Sequence, residues 1–372
     1  MSLFLLYFSG LGRAQQTING SIMHDGLQRD YILYIPASYS SDIPAPLLFN
    51  FHGYGSNAYE QMNYGDFRPI ADTAGFLVVH PMGTEDYLGN THWNVGWGGS
   101  SVDDVGFTAA LIDSLEDSYH IDTDRIYSTG MSNGGFMSYM LACHLSDKFA
   151  AIASIAGSMN IGQTGSCSCQ HPMPVMEIHG TADGTVPYDG TVVFMSIPDV
   201  LSYWVDFNNC DPSPSIDMMP DLDPNDGSTV THYLYTDGDN GVEVEHYQVI
   251  NGTHTWPGSN YDLGGTNYDI DASEKAWGFL SKYDIHGLIT PTAIEETSGE
   301  HLSVYPNPCT TKITITTNDD EDVSYRIYSL LGTQLRAGRL TSRQQNIDLS
   351  DLAPDIYLLK ILDQTFRILK VE

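Results

Sequence analysis

The chain has 372 residues, 41% hydrophobic and 11% aromatic, which suits one large globular domain plus a small one. Fifteen basic side chains against 47 acidic ones leave a formal charge of −32. A surface of that sign offers phosphates no cationic stripe, which sets aside nucleic acid and anionic membrane as partners.

Residues 1–14 begin with the apolar run Ser2-Leu3-Phe4-Leu5-Leu6-Tyr7-Phe8 and pass to Gly10-Leu11-Gly12-Arg13-Ala14, the core and cleavage region of a secretory signal without its basic start. No later segment reaches the ~18 apolar residues of a spanning helix, so no membrane span is expected. Ser21-Ile22-Met23, an Asp25-Gly26 turn and Tyr31 to Tyr34 predict an opening hairpin. Leu47 to Phe51 and Phe76 to Val79 are continuous apolar strands of the kind buried on both faces. Val105 to Tyr119 has helical spacing, and Asp103 and Asp104 are suited to cap it. A strand at Arg125-Ile126-Tyr127, a helix over Phe136 to His144, and strands at Ala151 to Ile155 and Val175 to Ile178 follow. Strands alternating with helices from about 20 to 285 predict an α/β fold: a doubly wound, mostly parallel sheet.

Residues 286–300, with Gly287, Pro291, Ser298 and Gly299, predict a linker. Beyond it, short β-prone runs at Lys312 to Ile315, Tyr325 to Tyr328 and Ile356 to Leu359, with a Gly332-Thr333 turn, predict a small all-β sandwich over 301–372. Eight of the basic residues lie after residue 298 with only ten of the acids, so this tail carries about −2 and the rest about −30. Two modules with different surfaces are expected. Cys143, Cys167, Cys169 and Cys210 fall in the acidic module and Cys309 in the tail. The Cys167-Ser-Cys169 spacing suits disulfides to Cys143 and Cys210 better than a metal site. The acidic loops Asp221 to Gly227 and Asp237 to Gly241 lack the ligand spacing of a calcium loop and are expected to be solvated turns.

The chemistry concentrates at Gly130-Met131-Ser132-Asn133-Gly134, a G-x-S-x-G run between a strand and a helix. That setting is a nucleophile elbow, a sharp turn that pushes the serine hydroxyl into the open. A serine nucleophile needs a base to take its proton and a carboxylate to fix the base. Asp183 follows the apolar strand at 175–178 and His254 lies in a Gly-flanked loop after Val249-Ile250, so the order Ser, Asp, His is kept. His179 precedes Asp183 and is expected to shape its loop. Backbone donors for a developing oxyanion are expected from Asn133 and from Tyr54, in the loop His52-Gly53-Tyr54-Gly55. Trp93, Trp97 and Trp256 are candidates to line an acyl pocket. No cofactor or metal is called for.

His52-Gly53-x-Gly55, Asp103-Asp104-Val105-Gly106-Phe107, Gly130 to Gly135, His179-Gly180-Thr181-x-Asp183 and His254-Thr255-Trp256-Pro257-Gly258 occur in that order over residues 18–285. Together they resemble the esterase family that joins polyhydroxybutyrate depolymerases, feruloyl esterases and acetylxylan esterases. The resemblance implies Ser132 as nucleophile, Asp183 as orienting acid and His254 as base. It leaves His52, Trp97 and Trp256 as candidate substrate contacts. Val304-Tyr305-Pro306-Asn307-Pro308, Ile327 to Gly332 and Phe366 to Val371 are similar to the C-terminal sorting domain of the type IX secretion system, which implies export and that machinery as a partner. The expected activity is ester hydrolysis on polysaccharide-linked feruloyl or acetyl groups, with polyhydroxybutyrate as the alternative polymer and a catalytically silent surface adhesin as the alternative class. Because a neutral imidazole must act as base, the rate is predicted to fall as pH drops through about 6–7. A pH–rate profile on p-nitrophenyl acetate checks this, and a rate flat down to about pH 4 rules it out.

Overall fold

A computed structural model describes residues 15–289 and 302–371, except 308, 318–322, 330–333, 354 and 362–363. The signal segment at 1–14, the Gly332-Thr333 turn and the linker from 290 onward lie outside the described residues. The chain divides into two compact units between Ile289 and Thr290.

The first unit opens with the expected hairpin, β1 (Gln16–His24) and β2 (Leu27–Ile35). Asp25 and Gly26 both take positive φ, 48° and 76°, as a two-residue hairpin turn requires. Then come β3 (Ala45–Phe51), α1 (Ala58–Tyr64), α2 (Arg68–Ala74), β4 (Leu77–Pro81) and the two-residue strands β5 (Thr84–Glu85) and β6 (Thr91–His92). After them lie α3 (Asp104–Glu116), β7 (Ile121–Met131), α4 (Asn133–His144), β8 (Ala151–Ile155), β9 (Val175–Gly180) and α5 (Ile197–Phe207). Strands β10 (Ser215–Met218), β11 (Thr229–Tyr235) and β12 (Val244–Ile250), helix α6 (Ala272–Leu280), and the small pair β13 (Tyr283–Asp284) and β14 (Gly287–Leu288) complete it. Because β13 pairs with β14, residues 286–289, expected in the linker, belong to this unit.

Ten strands form one sheet in the order β1-β2-β4-β3-β7-β8-β9-β12-β11-β10. The run from β4 to β12 is parallel, with antiparallel strands at both ends. Strands β3, β4, β8 and β9 are buried along their whole length, which explains why they read as unbroken apolar runs. Alternation divides β3 and β4 between two cores. Leu47 and Phe49 pack with Phe107, Leu111 and Phe136 of α3 and α4, whereas Leu48 and Val78 pack with Ala276 and Phe279 of α6. The unit is therefore an α/β sheet covered on both faces.

Asp103 caps α3 as expected, its carboxylate accepting from the Gly106 amide at 2.8 Å. Asp104 does not cap. It is buried, pairs with the buried Arg29 at 2.6 Å and accepts from the Asn94 amide at 2.7 Å, while Arg29 lies over the Phe107 ring.

In the second unit, β15 (Ser303–Tyr305), β16 (Lys312–Thr316) and β19 (Gln344–Asp348) form one antiparallel sheet. Strands β17 (Val323–Ser329), β18 (Gln334–Leu340), β20 (Asp355–Ile361) and β21 (Gln364–Lys370) form another. Ile313, Ile315 and Ile347 of the first meet Tyr325, Ile327 and Leu359 of the second in one core, the expected all-β sandwich.

The two neighbouring aspartates should separate on mutation. Asp103→Ala removes a cap and is predicted to cost about 1 kcal/mol. Asp104→Ala strands a buried guanidinium and is predicted to cost about 3–5 kcal/mol. Urea denaturation of the two variants measures both.

Candidate active site

The strand β7 turns into helix α4 at Ser132, whose φ of 55° and ψ of −119° lie in a region that side-chain-bearing residues seldom enter. The turn is held by Ser132 N–H donating to Ile155 O at 2.9 Å and Phe136 N–H donating to Ser132 O at 3.0 Å. The flanking glycines are steric necessities. A Cβ on Gly130 would lie 2.6 Å from the Gly134 carbonyl carbon, and one on Gly134 would lie 2.2 Å from Phe51 O. The helix start is thereby pressed against the end of β3, and Ser132 stands at the floor of a cavity of about 480 Å³ that His254 also lines.

Asp183 follows β9. Its Oδ1 accepts from the Thr185 and Val186 amides, each at 2.8 Å, and its Oδ2 accepts from His254 Nδ1 at 2.6 Å. Burial works against ionisation, yet the hydrogen bonds from His179 and His254 outweigh it and hold the carboxyl well below its ordinary range. Nδ1–H donation to Asp183 leaves His254 Nε2 as the proton acceptor. Among the hydrogen bonds of the described residues none joins Ser132 Oγ to His254; apo sites commonly leave that link loose.

The loop after β3 lies against the serine: a Cβ on Gly53 would be 3.5 Å from Ser132 Cβ. Tyr54 thus sits at the cavity wall, its hydroxyl donating to Asp86 Oδ2 at 2.6 Å. Asn133 opens α4, where first-turn amides have no intrahelical acceptor. Its side chain is occupied elsewhere. Oδ1 accepts from Trp93 N–H at 2.7 Å and Nδ2 donates to Trp93 O at 3.1 Å.

The three proposed substrate contacts are placed differently from expectation. Trp256 is buried, packs on Phe67 and Tyr64, and donates from Nε1 to Ser273, so it anchors the His254 loop in the core and does not line the cavity. His52 is also buried. Its Nε2 accepts from Gly83 N–H at 2.9 Å, its Nδ1 donates to Gly53 O at 2.8 Å, and burial lowers it to about 4, so it braces the loop as a neutral ring. Trp97 is partly exposed but lines a neighbouring hollow of about 240 Å³ that shares Tyr54 with the cavity. Trp93 is fully buried. The cavity wall is instead made by Tyr54, Tyr59, Tyr64, Met131, Tyr261 and Leu263. These come from loops, the short helix α1 and the end of β7, and no local pattern marks them.

The cysteine pairing is settled in part. Cys143 and Cys167 form a disulfide, whereas Cys169 and Cys210 are free thiols. Cys210 is buried beside Val242 O and Cys169 donates to His171 O, so the second expected bridge is not formed.

Residues 303–370 match the secretion system C-terminal sorting domain, and residues 72–170 match the prolyl oligopeptidase family. The chain is 30% identical over 204 residues to feruloyl esterase C of Emericella nidulans, covering 55% of this chain and 70% of that protein. It is 26% identical over 275 residues to a bifunctional acetylxylan esterase/xylanase of Neocallimastix patriciarum. That match covers 74% of this chain but only 36% of the fungal protein, about a third of its length. The solved acetyl xylan esterase from Aspergillus awamori superposes with a TM-score of 0.48 at 12% identity, over 72% of this chain and 98% of that one.

The double clamp from Asn133 to Trp93 makes Asn133 structurally costly to lose. Asn133→Ala leaves a buried amide and carbonyl unpaired and is predicted to destabilise by about 1–3 kcal/mol. Chemical denaturation checks the value, and an unchanged midpoint refutes it.

Proposed function

The chain belongs to the α/β-hydrolase esterase family that includes feruloyl esterase C, and on that footing we propose that it hydrolyses carboxylic esters through a serine acyl-enzyme. The observation that carries this reading is the 2.6 Å hydrogen bond from His254 to Asp183 beside a cavity that His254 shares with Ser132. In the proposed cycle Ser132 Oγ attacks the ester carbonyl while His254 Nε2 takes its proton. The imidazolium is stabilised by Asp183, and the tetrahedral oxyanion accepts from the Tyr54 and Asn133 amides. His254 returns the proton to the departing alcohol, and water then releases the acid by the same steps reversed.

The sorting domain makes the protein extracellular or attached to the cell surface. We assign its export to the type IX machinery. Among the described residues no helix is long and apolar enough to cross a membrane.

For substrate, feruloyl or acetyl esters carried on polysaccharide are preferred. Four tyrosines, Tyr54, Tyr59, Tyr64 and Tyr261, suit an aromatic or sugar-bearing ester. The net charge of −32 suits a neutral one. Ser132→Ala is predicted to lower kcat on p-nitrophenyl acetate by a thousandfold or more, on the order of the loss when a triad member is removed. Wild-type turnover no faster than the variant points to a silent adhesin instead. Parallel assays on methyl ferulate, acetylated xylan and polyhydroxybutyrate film are expected to favour the first two, and preference for the film reverses the substrate assignment.

A further inference from the structure

Behind Asp183 lies a set of buried titratable groups that the catalytic cycle above does not use. Strand β9 sends Met176 and Ile178 into the apolar core, and its alternate residues Glu177 and His179 are buried on the other face. His179 Nε2 is 2.8 Å from Val186 O, an oxygen that only accepts, so this nitrogen carries a hydrogen. The same nitrogen is 3.4 Å from Asp183 Oδ2, the oxygen that binds His254. On its far side, His179 Nδ1 is 2.9 Å from Glu177 Oε1. Glu177 Oε2 in turn accepts from the Tyr139 hydroxyl at 2.8 Å.

We propose that Glu177 and His179 are positioning residues for this site: His179, held by Glu177 as a buried imidazolium, braces the Asp183 oxygen that orients His254. The proposal rests on the esterase reading. Two carboxyl groups flank one imidazole here; burial raises Glu177, hydrogen bonds from His179 and Tyr139 oppose that, and a positive ring between two carboxylates leaves fewer uncompensated charges than a neutral one. Burial opposes the charge on His179, but the neighbouring Asp183 carboxylate and the hydrogen bond to Glu177 outweigh it and push the ring up to about 9. The other groups facing it fit. His246 on β12 donates from Nδ1 to Glu177 O and accepts at Nε2 from Tyr188, and burial lowers it to about 3, so it remains neutral. Tyr188 meets the His179 ring edge-on, and its hydroxyl is raised by burial. His179 is thus the one ring of this cluster suited to carry the charge.

The consequence falls on the base. A cation 3.4 Å from Asp183 competes with His254 for the same carboxylate oxygen, so removing it strengthens the coupling of that oxygen to the base.

The test uses His179→Gln and Glu177→Gln in the full chain, with kcat/KM on p-nitrophenyl acetate followed from about pH 5 to 9. Both variants are expected to move the acid limb upward by about one pH unit, a loss of about tenfold near pH 6 that largely disappears near pH 9. A limb that stays in place while the plateau falls marks a purely structural role and overturns the proposal. Wild-type turnover no faster than Ser132→Ala removes the esterase reading, and this proposal with it. If neither variant folds, nitrogen-15 NMR of the histidine-labelled wild type near pH 7.5 decides. One buried imidazole protonated on both nitrogens supports the proposal, and buried rings that are all neutral overturn it.

Discussion

The structure depends on one close approach, the contact of the α4 N-terminus with the carbonyl end of β3. With no side chain at Gly130 or Gly134, backbone meets backbone where any Cβ would lie within 2.7 Å of main-chain atoms. Three things follow from this contact. The Ser132 turn is forced to a positive φ of 55°, and the otherwise buried serine lines the cavity. The loop leaving β3 is brought over that hydroxyl, with Gly53 against the serine Cβ. Helix α4 begins at the same turn, so the proposed nucleophile and the proposed oxyanion donor on Asn133 share one corner.

Asp183 and His254, the proposed acid and base, come from the other half of the parallel sheet. Asp183 leaves the end of β9 and His254 leaves the end of β12, strands that are hydrogen-bonded neighbours in register. Loops at the same ends of adjacent parallel strands emerge close together, which is why residues 71 positions apart share a 2.6 Å hydrogen bond. The loops are then pinned from outside. Trp256 fills the core beneath His254 and donates from its backbone amide to Tyr64, while two amides close Asp183 into a tight turn. The aromatic residue that looked like a substrate contact is therefore part of the scaffold that holds the His254 loop.

Two sets of buried charge in the first unit are closed by partners. Arg29 with Asp104, and His179 with Glu177 and Asp183, are each removed from water and each closed by a partner. The first pair ties β2 to α3 and lies away from the cavity. The second stands directly behind the site, so the same physics that stabilises one corner of the fold becomes coupled to the reactivity of another.

The sequence alone determined what depends on local chemistry. The opening hairpin, the buried parallel strands, the elbow glycines, the Ser, Asp, His order and the change to short alternating strands in the tail are all written in nearest-neighbour patterns. The hairpin and strands are set by turn geometry and strand periodicity within a few residues, while the elbow glycines and the Ser, Asp, His order are legible as residue types at a place in the chain. What the tertiary structure decided is which side chains meet across long separations. Nothing near Asp104 in the chain distinguishes a second cap from the buried partner of Arg29, and nothing near Trp256 or His52 separates a cavity wall from a core. Cys210 was chemically able to pair but lies beside Val242 rather than Cys169. Glu177 offered a signal, a carboxylate inside an otherwise apolar strand, yet its meaning required the Tyr139 hydroxyl from α4 and the His179 ring around it. Burial and partnership are properties of packing, and packing is settled only when distant elements share one core.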